Sequence, residues 1–427
     1  MAIETPARIA VIGAGPIGLE AALYARYLGY DVDLYERGAI AENVRRWGHV
    51  QMFTPFGMNR SPLGLAALRA QDEAWQPPAD DAHLTGREFV ERYLVPLAHS
   101  DLLIDGLHEH TRTDVIGRTG MLPGELAGDE ARADSEFRLL VTTTRPGEAP
   151  RERFATADAV IDTSGTFGHH GWLGPDGIPA LGERAAELHI EYGLPDVLGA
   201  ARQQYAGRNI LLVGDGDTAA TNLVALAHLA TEVPDTWITW VVRRPCDEHA
   251  PEPIAPRDGV ASAERQRLAN QANRLAADDS NHVTFYSGSA VEAVTWHADL
   301  DRFAVRLAGK HTEEIECDRI VASVGGRPDM LLARELQVCY CPVTGAPVAL
   351  GRALRSQSDF GSAAGDSTWT AEMLVTDEPD YYVLGAKSFG RDSRFTIRHG
   401  LEQIRALFTL IGDRPGLDLY ATMKGLC

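Results

Sequence analysis

Lysine is nearly absent from this chain. Of 427 residues 40 are basic, yet only Lys310, Lys387 and Lys424 are lysines, the rest being arginine. Coding bias accounts for this most simply, and it makes each lysine conspicuous. Cysteine is scarce too. Cys246, Cys317, Cys339, Cys341 and Cys427 form an odd, scattered set, which argues against a secreted disulfide framework. None forms a Cys-x-x-Cys pair, and Cys339-x-Cys341 has no matching cluster to complete a metal site, so no metal is expected. Long apolar runs are missing as well. Ile9–Ile12 reaches glycine after a few residues and follows no basic stretch, so it reads as neither signal peptide nor membrane span. No later run approaches the roughly 18 apolar residues a spanning helix needs. Positive charge is the minority sign: 40 basic residues against 60 acidic leave −20 at pH 7. Nucleic acid and anionic membranes are therefore poor partners, and a cytoplasmic protein is expected.

What remains is ordinary globular material, 44% hydrophobic and 7% aromatic. At roughly 150 residues per domain the length fits two or three domains. Arg8–Gly13 reads as a buried parallel strand, a short β-branched run stopped by glycine. Gly13-Ala-Gly15-Pro16-Ile17-Gly18 follows, then a helical pattern through Leu28 with Leu19, Ala22, Leu23 and Tyr27 on one face. A second strand, Asp31–Tyr35, ends at Glu36, with Arg37 next. This is the strand, glycine turn, helix, strand and acid of a dinucleotide site. Gly13 permits the turn, Gly15 lets a pyrophosphate approach, and Gly18 lets helix and strand pack. The helix N-terminus offers N–H groups and positive dipole, and Glu36 accepts ribose hydroxyls while repelling a 2′-phosphate.

The pattern recurs at Asn209–Val213, Gly214-Asp-Gly216-Asp217-Thr218-Ala219 and a helix through about Leu229. Its second strand, Trp237–Val242, ends in Arg243-Arg244 instead of an acid. Guanidinium groups there are placed to pair with a 2′-phosphate, which selects NADPH; otherwise they are solvated surface charges. Two such units imply an electron relay, NADPH reducing a second redox cofactor. A second nicotinamide would be redundant, so FAD is the economical choice.

On these residues the chain resembles the two-dinucleotide-binding-domain flavoproteins, and within them the flavin-containing and N-hydroxylating monooxygenases. Asp158–Gly165 and Asp318–Gly325 match the short strand-plus-glycine segments at the crossovers between domains, so the resemblance spans most of the chain. It implies an α/β architecture of two Rossmann-like domains, with the NADPH domain inserted into a discontinuous FAD domain. The FAD domain would cover 1–170 and 330–427, and the NADPH domain 195–328. Gly171–Gly182 and Gly193–Asp196 read as a turn-rich entry to the latter, and Pro123–Glu136 as a solvated loop.

The resemblance also implies where the flavin chemistry sits. A final strand and Gly385 precede a helix from about Thr396 to Ile411, whose N-terminus would favour negative charge on the reduced ring. Gly365-Asp366 is the less favoured alternative for that contact. Lys387 either touches the flavin or NADPH or is a surface residue. Asn59 either lies near flavin N5 or the C4a oxygen adduct, or caps a helix starting near Pro62. His49 either lines the active site or packs in its loop. The implied reaction is transfer of one oxygen from a C4a-(hydro)peroxyflavin to a small-molecule substrate, with dioxygen and NADPH consumed. Flavin-containing monooxygenases carry Phe-x-Gly-x-x-x-His before the NADPH domain, whereas Phe167-x-His169 lacks the second glycine. That departure weighs against carbonyl insertion and toward N- or S-oxygenation. The same fold serves reductases that pass electrons to another acceptor, which is the alternative activity, and a homo-oligomer stays open.

Overall fold

Two stretches of the chain run the same course. In the computed structural model β1 (Arg8–Ile12), α1 (Pro16–Tyr27) and β2 (Asp31–Tyr35) lead by way of other elements to a crossover strand, β3 (Ala159–Asp162). Then β4 (Asn209–Val213), α2 (Asp217–Glu232) and β5 (Trp237–Val242) lead to a second crossover strand, β6 (Arg319–Ala322). A last strand, β7 (Tyr381–Val383), precedes the helix α3 (Ile397–Ile411). The structure describes residues 3–247, 251–255, 263–278, 282–356 and 369–423. Asp366, Lys424 and Cys427 lie outside them.

Contacts divide the chain into two compact units, Met1–His169 with Arg327–Cys427, and His170–Gly326. In the first, a parallel sheet runs β7, β3, β1, β2 and the short strand Leu107–His108. The strand order reverses between β1 and β3, which opens a crevice at the carboxyl ends of those two strands. Period-two alternation assigns the two faces of β1 to different layers. Ile9 and Val11 pack with Leu19, Leu23 and Leu407 on the helical side. Ala10 and Ile12 pack with Ile116, Leu139 and Val141 of an antiparallel sheet, formed by Thr111–Arg118, Phe137–Thr143 and Arg151–Ala157. Each fully buried aliphatic side chain contributes about 1.5–3 kcal/mol of transfer free energy.

The second unit repeats the plan. Its parallel sheet runs Val283–Ser287, β5, β4 and β6. Ile210 and Leu212 face one core and Leu211 and Val213 the other. The crossover strands are even pinned alike. Asp158 Oδ2 accepts from the Arg8 N–H at 2.7 Å, and Asp318 Oδ2 accepts from the Asn209 N–H at 2.8 Å. Both aspartates thus register the crossover strand against the first residue of the central strand.

Three local features differ from the sequence reading. Residues 170–194 are not a mere entry to the second unit, because Leu173, Ala180, Ala186 and Ile190 are buried with Leu211, Val291 and Phe303. The buried Glu183 anchors this segment, accepting from Leu173 N, Ala180 N and Tyr192 Oη. The acidic stretch 123–136 is not simply solvated, since Arg132 is fully buried and donates to Glu378 at 3.0 Å. Ser61, not Asn59, caps the helix Pro62–Gln71, its Oγ accepting from Gly64 N at 2.8 Å. Among the described residues no helix is long and apolar enough to cross a membrane.

Candidate functional site

The glycines of the first turn divide by what surrounds them. A methyl group on Gly18 would stand 1.8 Å from the Gly13 carbonyl oxygen, so close packing of α1 on β1 demands glycine there. Gly13 has φ +99°, and a methyl group on it would meet the Thr163 backbone at 3.0 Å. Gly15 is the opposite case. It caps α1 in extended conformation, and nothing stands within 4 Å of where its side chain would be. Pro16 occupies the first helical position, where a missing N–H costs nothing, and Ile17 points back to pack against Gly385 and Gly400. The first helical turn therefore faces open space at its N-terminus, an arrangement that suits an anionic phosphate.

Glu36, at the end of β2, is buried and already engaged. Its Oε2 accepts from Ala14 N and its Oε1 from Gly38 N, both at 2.9 Å. Burial raises its carboxyl above the ordinary range, and the Gly38 and Ala14 N–H groups oppose that shift. Each oxygen keeps a lone pair for another donor. Arg37 lies over the chain at Gly168, where a methyl group would come within 2.9 Å of the guanidinium. Beside it is an open cleft of about 630 Å³ lined by Arg37, Arg46, His110 and Arg112 among others. Glu42 also lines it, and Arg46 and Arg112 face Glu42 and Asp114 at 3.7 and 2.5 Å.

Across the crevice, β3 and β7 are followed within three residues by Gly165 and Gly385, with φ of +72° and +71°. Nothing approaches a methyl group on Gly165. Thr163 Oγ1 donates to Ile12 O and Gly13 O, tying this edge to the glycine turn. Gly385 N donates to Gln403 Oε1 of α3, whose Nε2 donates to Ser388 Oγ. Thr396 caps α3, its N–H and hydroxyl both meeting His399 Nδ1. Burial, with Arg398 and Arg394 nearby, pushes the His399 imidazole down to about 4, so it stays neutral. Lys387 is also buried. Its Nζ donates to Asp162 Oδ2 at 2.5 Å and to Ser164 Oγ at 3.1 Å, which rules out the surface reading. Asp162 was not legible as a site residue, although it is a carboxylate ending an otherwise apolar strand.

The second turn has the same division. Gly214 (φ +133°) would carry a methyl group 2.3 Å from Ser323 O, while Gly216 and Gly325 face open space. Ala219, fully buried, takes the place of Gly18. Trp240 Nε1 donates to Gly214 O at 2.8 Å. Thr218, Arg243 and Arg244 are exposed. Asp215 stands 3.5 Å from Arg244, whose Nη2 also donates to Pro253 O, and Asp217 stands 3.1 Å from Arg265. Both acids of this turn thus have arginine partners. Nothing in the sequence pattern singled out Arg265.

Of the three residues expected near the oxygen chemistry, Asn59 is bonded within its own loop. Its amide nitrogen donates to Thr54 O and Pro55 O, and its oxygen accepts from Thr54 Oγ1. With both donors used inside its own loop, it is a loop staple and has no hydrogen left for a flavin adduct. His49 stands half-buried in the turn after Glu42–Arg46. Asn59 and Lys387 share no hydrogen bond.

The sequence matches no family model, and no curated protein matches it. Solved structures do. Bacillithiol disulfide reductase from Bacillus cereus is 16% identical with a TM-score of 0.63, over 96% of this chain and 99% of that one. The cadaverine monooxygenase of desferrioxamine biosynthesis from Erwinia amylovora, solved bound to FAD, is 14% identical with a TM-score of 0.61, over 96% and 95%. An ornithine N-hydroxylase from Kutzneria sp. 744, solved with reduced FAD, NADP+ and L-ornithine, is 15% identical with a TM-score of 0.58, over 96% and 99%. The chain has the fold of the two-domain flavoproteins, one that disulfide reductases and monooxygenases share.

Proposed function

We propose that this chain is an FAD-dependent, NADPH-consuming monooxygenase of a small molecule, with N- or S-oxygenation as the reaction. One observation carries the reading: two glycine turns of the same make are followed by strands that end in opposite charge, Glu36 in one unit and Arg243-Arg244 in the other. The open faces of Gly15 and Gly216 fit a pyrophosphate at each helix N-terminus. Glu36 would receive ribose hydroxyls of FAD on its free lone pairs, and Arg243, with no ion pair among the described residues, would receive the 2′-phosphate of NADPH. FAD, when bound, supplies two-electron chemistry and reactivity toward dioxygen, with NADPH as hydride donor. The rest of Gly13–Gly18, Arg37, Gly165 and Gly385 would frame the FAD, and Gly214–Ala219, Arg244 and Gly325 the NADPH. A cytoplasmic setting goes with this reading.

The thiols favour oxygenation over disulfide chemistry. Cys317 is buried in the strand Glu314–Cys317, where burial pushes its thiol up to about 12, and no cysteine lies in the first glycine turn. The second reading, a reductase without oxygen insertion, draws on Cys341. The Thr344 hydroxyl and N–H lower its thiol to about 7, with Cys339 two residues away. Rapid mixing separates the two. The NADPH-reduced holoprotein, mixed with oxygen, is expected to pass through a transient whose spectrum matches neither oxidised nor reduced flavin. Direct return to oxidised flavin with stoichiometric hydrogen peroxide would refute oxygenation.

A further inference from the structure

We propose that the buried Asp162–Lys387 pair is an electrostatic device that sets how readily the bound flavin accepts electrons. The inference rests on the reading of the first unit as the FAD site. The pair sits where the ends of β3 and β7 meet. Asp162 is the last residue of β3, and Gly165 follows three residues on. Lys387 lies in the short helix Ala386–Phe389, which Gly385 opens. Both side chains are buried, Asp162 at 0% and Lys387 at 1% exposure.

The bonding is lopsided. Asp162 Oδ1 accepts from Ser164 N and Ser164 Oγ, and Oδ2 accepts from Tyr381 Oη and Lys387 Nζ. Four donors saturate the carboxylate. Lys387 has three N–H groups, two of which go to Asp162 and Ser164, and Ser164 immediately precedes Gly165, where nothing stands within 4 Å of an added methyl group. Burying a charged pair is a weak way to stabilise a fold, because apolar residues of similar size usually do as well. A paired, desolvated charge at a cleft is better understood as tuning chemistry. The residue type points the same way. This chain uses arginine almost everywhere else, and here it places one of its three lysines, a compact ammonium that fits between a carboxylate and a hydroxyl.

The electron count defines what the pair would act on. Hydride from NADPH brings two electrons and one proton, leaving NADP+ and a reduced flavin with one more negative charge. A fixed ammonium favours that charge and a fixed carboxylate opposes it, both more strongly in a desolvated crevice than in water. Removing each partner alone must therefore move the flavin potential in opposite directions.

The test is the flavin midpoint potential of purified holoprotein, by anaerobic dye-coupled titration, in wild type, K387M, D162N, the double variant and Y381F. K387M should lower the potential and D162N raise it, each by about tenfold in the reduction equilibrium, or about 30 mV for two electrons. The double variant should return toward wild type. Y381F removes a hydrogen bond to Asp162 but no charge, so it should lower thermal stability with the potential held. Shifts of the same sign in K387M and D162N, or a shift in Y381F as large as theirs, would overturn the inference and leave the FAD reading standing. If K387M does not fold, a D162N potential at or below wild type overturns it alone. Wild-type protein that holds no FAD would refute the reading itself, and the inference with it.

Discussion

The two glycine turns differ most in what holds them. In the first unit the acid that ends β2 clamps the turn from behind, Glu36 taking the N–H of Ala14. In the second unit an indole does the comparable work, Trp240 donating to Gly214 O, and the end of β5 is left to two exposed arginines. Freed of the structural task, that position can carry the opposite charge. On the proposed reading Glu36 would serve both fold and ligand, whereas Arg243 would serve ligand alone. Damage at the end of β2 should therefore cost stability and binding together, and damage at the end of β5 should separate them.

The closing residues of the turns give the largest expected contrast. G18A drives a methyl group into the Gly13 carbonyl and should cost about 3 kcal/mol, the upper part of the overpacking range. A219G should cost about 1 kcal/mol, the helix propensity difference. Thermal unfolding followed by circular dichroism compares them, and equal costs would break the contrast.

A second contrast lies two residues further along each helix. Glu20 is buried in α1 where α2 has Thr221, and burial pushes its carboxyl up to about 7, opposed by the hydroxyls of Ser61 and Tyr420. The folded state then keeps a proton that the unfolded chain has released above its ordinary value of 4.5. The Glu20 contribution to stability should fall as pH rises through that window, by up to about 1.4 kcal/mol per unit. E20Q should remove that contribution in denaturation at stepped pH. His399 acts with the opposite sign. Its folded-state value of about 4 lies below the ordinary 6.5, so stability is lost as pH falls between them. E20Q should therefore leave the acid-side loss exposed. An unchanged slope would show that Glu20 is not protonated in the folded protein.

Smaller effects are expected at the second strand ends and the crossovers. R243A should reduce the preference for NADPH over NADH about tenfold, the loss of one charge-assisted hydrogen bond, without altering thermal stability. Steady-state kcat/KM with each nucleotide checks it. D318A should cost about 1–2 kcal/mol and D158A about 0.5–1. Asp318 is buried and also faces Arg302 at 3.3 Å, whereas Asp158 is exposed.

Much of this was legible in sequence because it is local. Short apolar runs stopped by glycine, the glycine turn itself and an acid or arginine at a strand end are all set within some thirty residues, and the strands and helices of the two glycine-turn units lie where those patterns placed them. Ser61 before Pro62 was a readable cap. The loop bonds of Asn59 were not legible, because an asparagine that staples a loop and one that faces a ligand look alike in sequence. The Asp162–Lys387 pair joins residues 225 positions apart, and Arg132 meets Glu378 across 246. Such pairings depend on how β7 returns to the sheet, and no periodicity reports that. Glu183 likewise draws residues 173–192 into the second core through three bonds that the turn-rich sequence conceals.

The central claim is that the two turns take different nucleotides, FAD first and NADPH second. Gly15 and Gly216 test it directly, since both are extended and nothing beyond the adjoining residues stands within 4 Å of a methyl group on either. The measurement is flavin content and anaerobic NADPH-driven bleaching of purified G15V and G216V. G15V should fold without retaining FAD. G216V should keep FAD that dithionite bleaches and NADPH does not. Flavin retained in G15V, or NADPH reduction undiminished in G216V, would contradict the account.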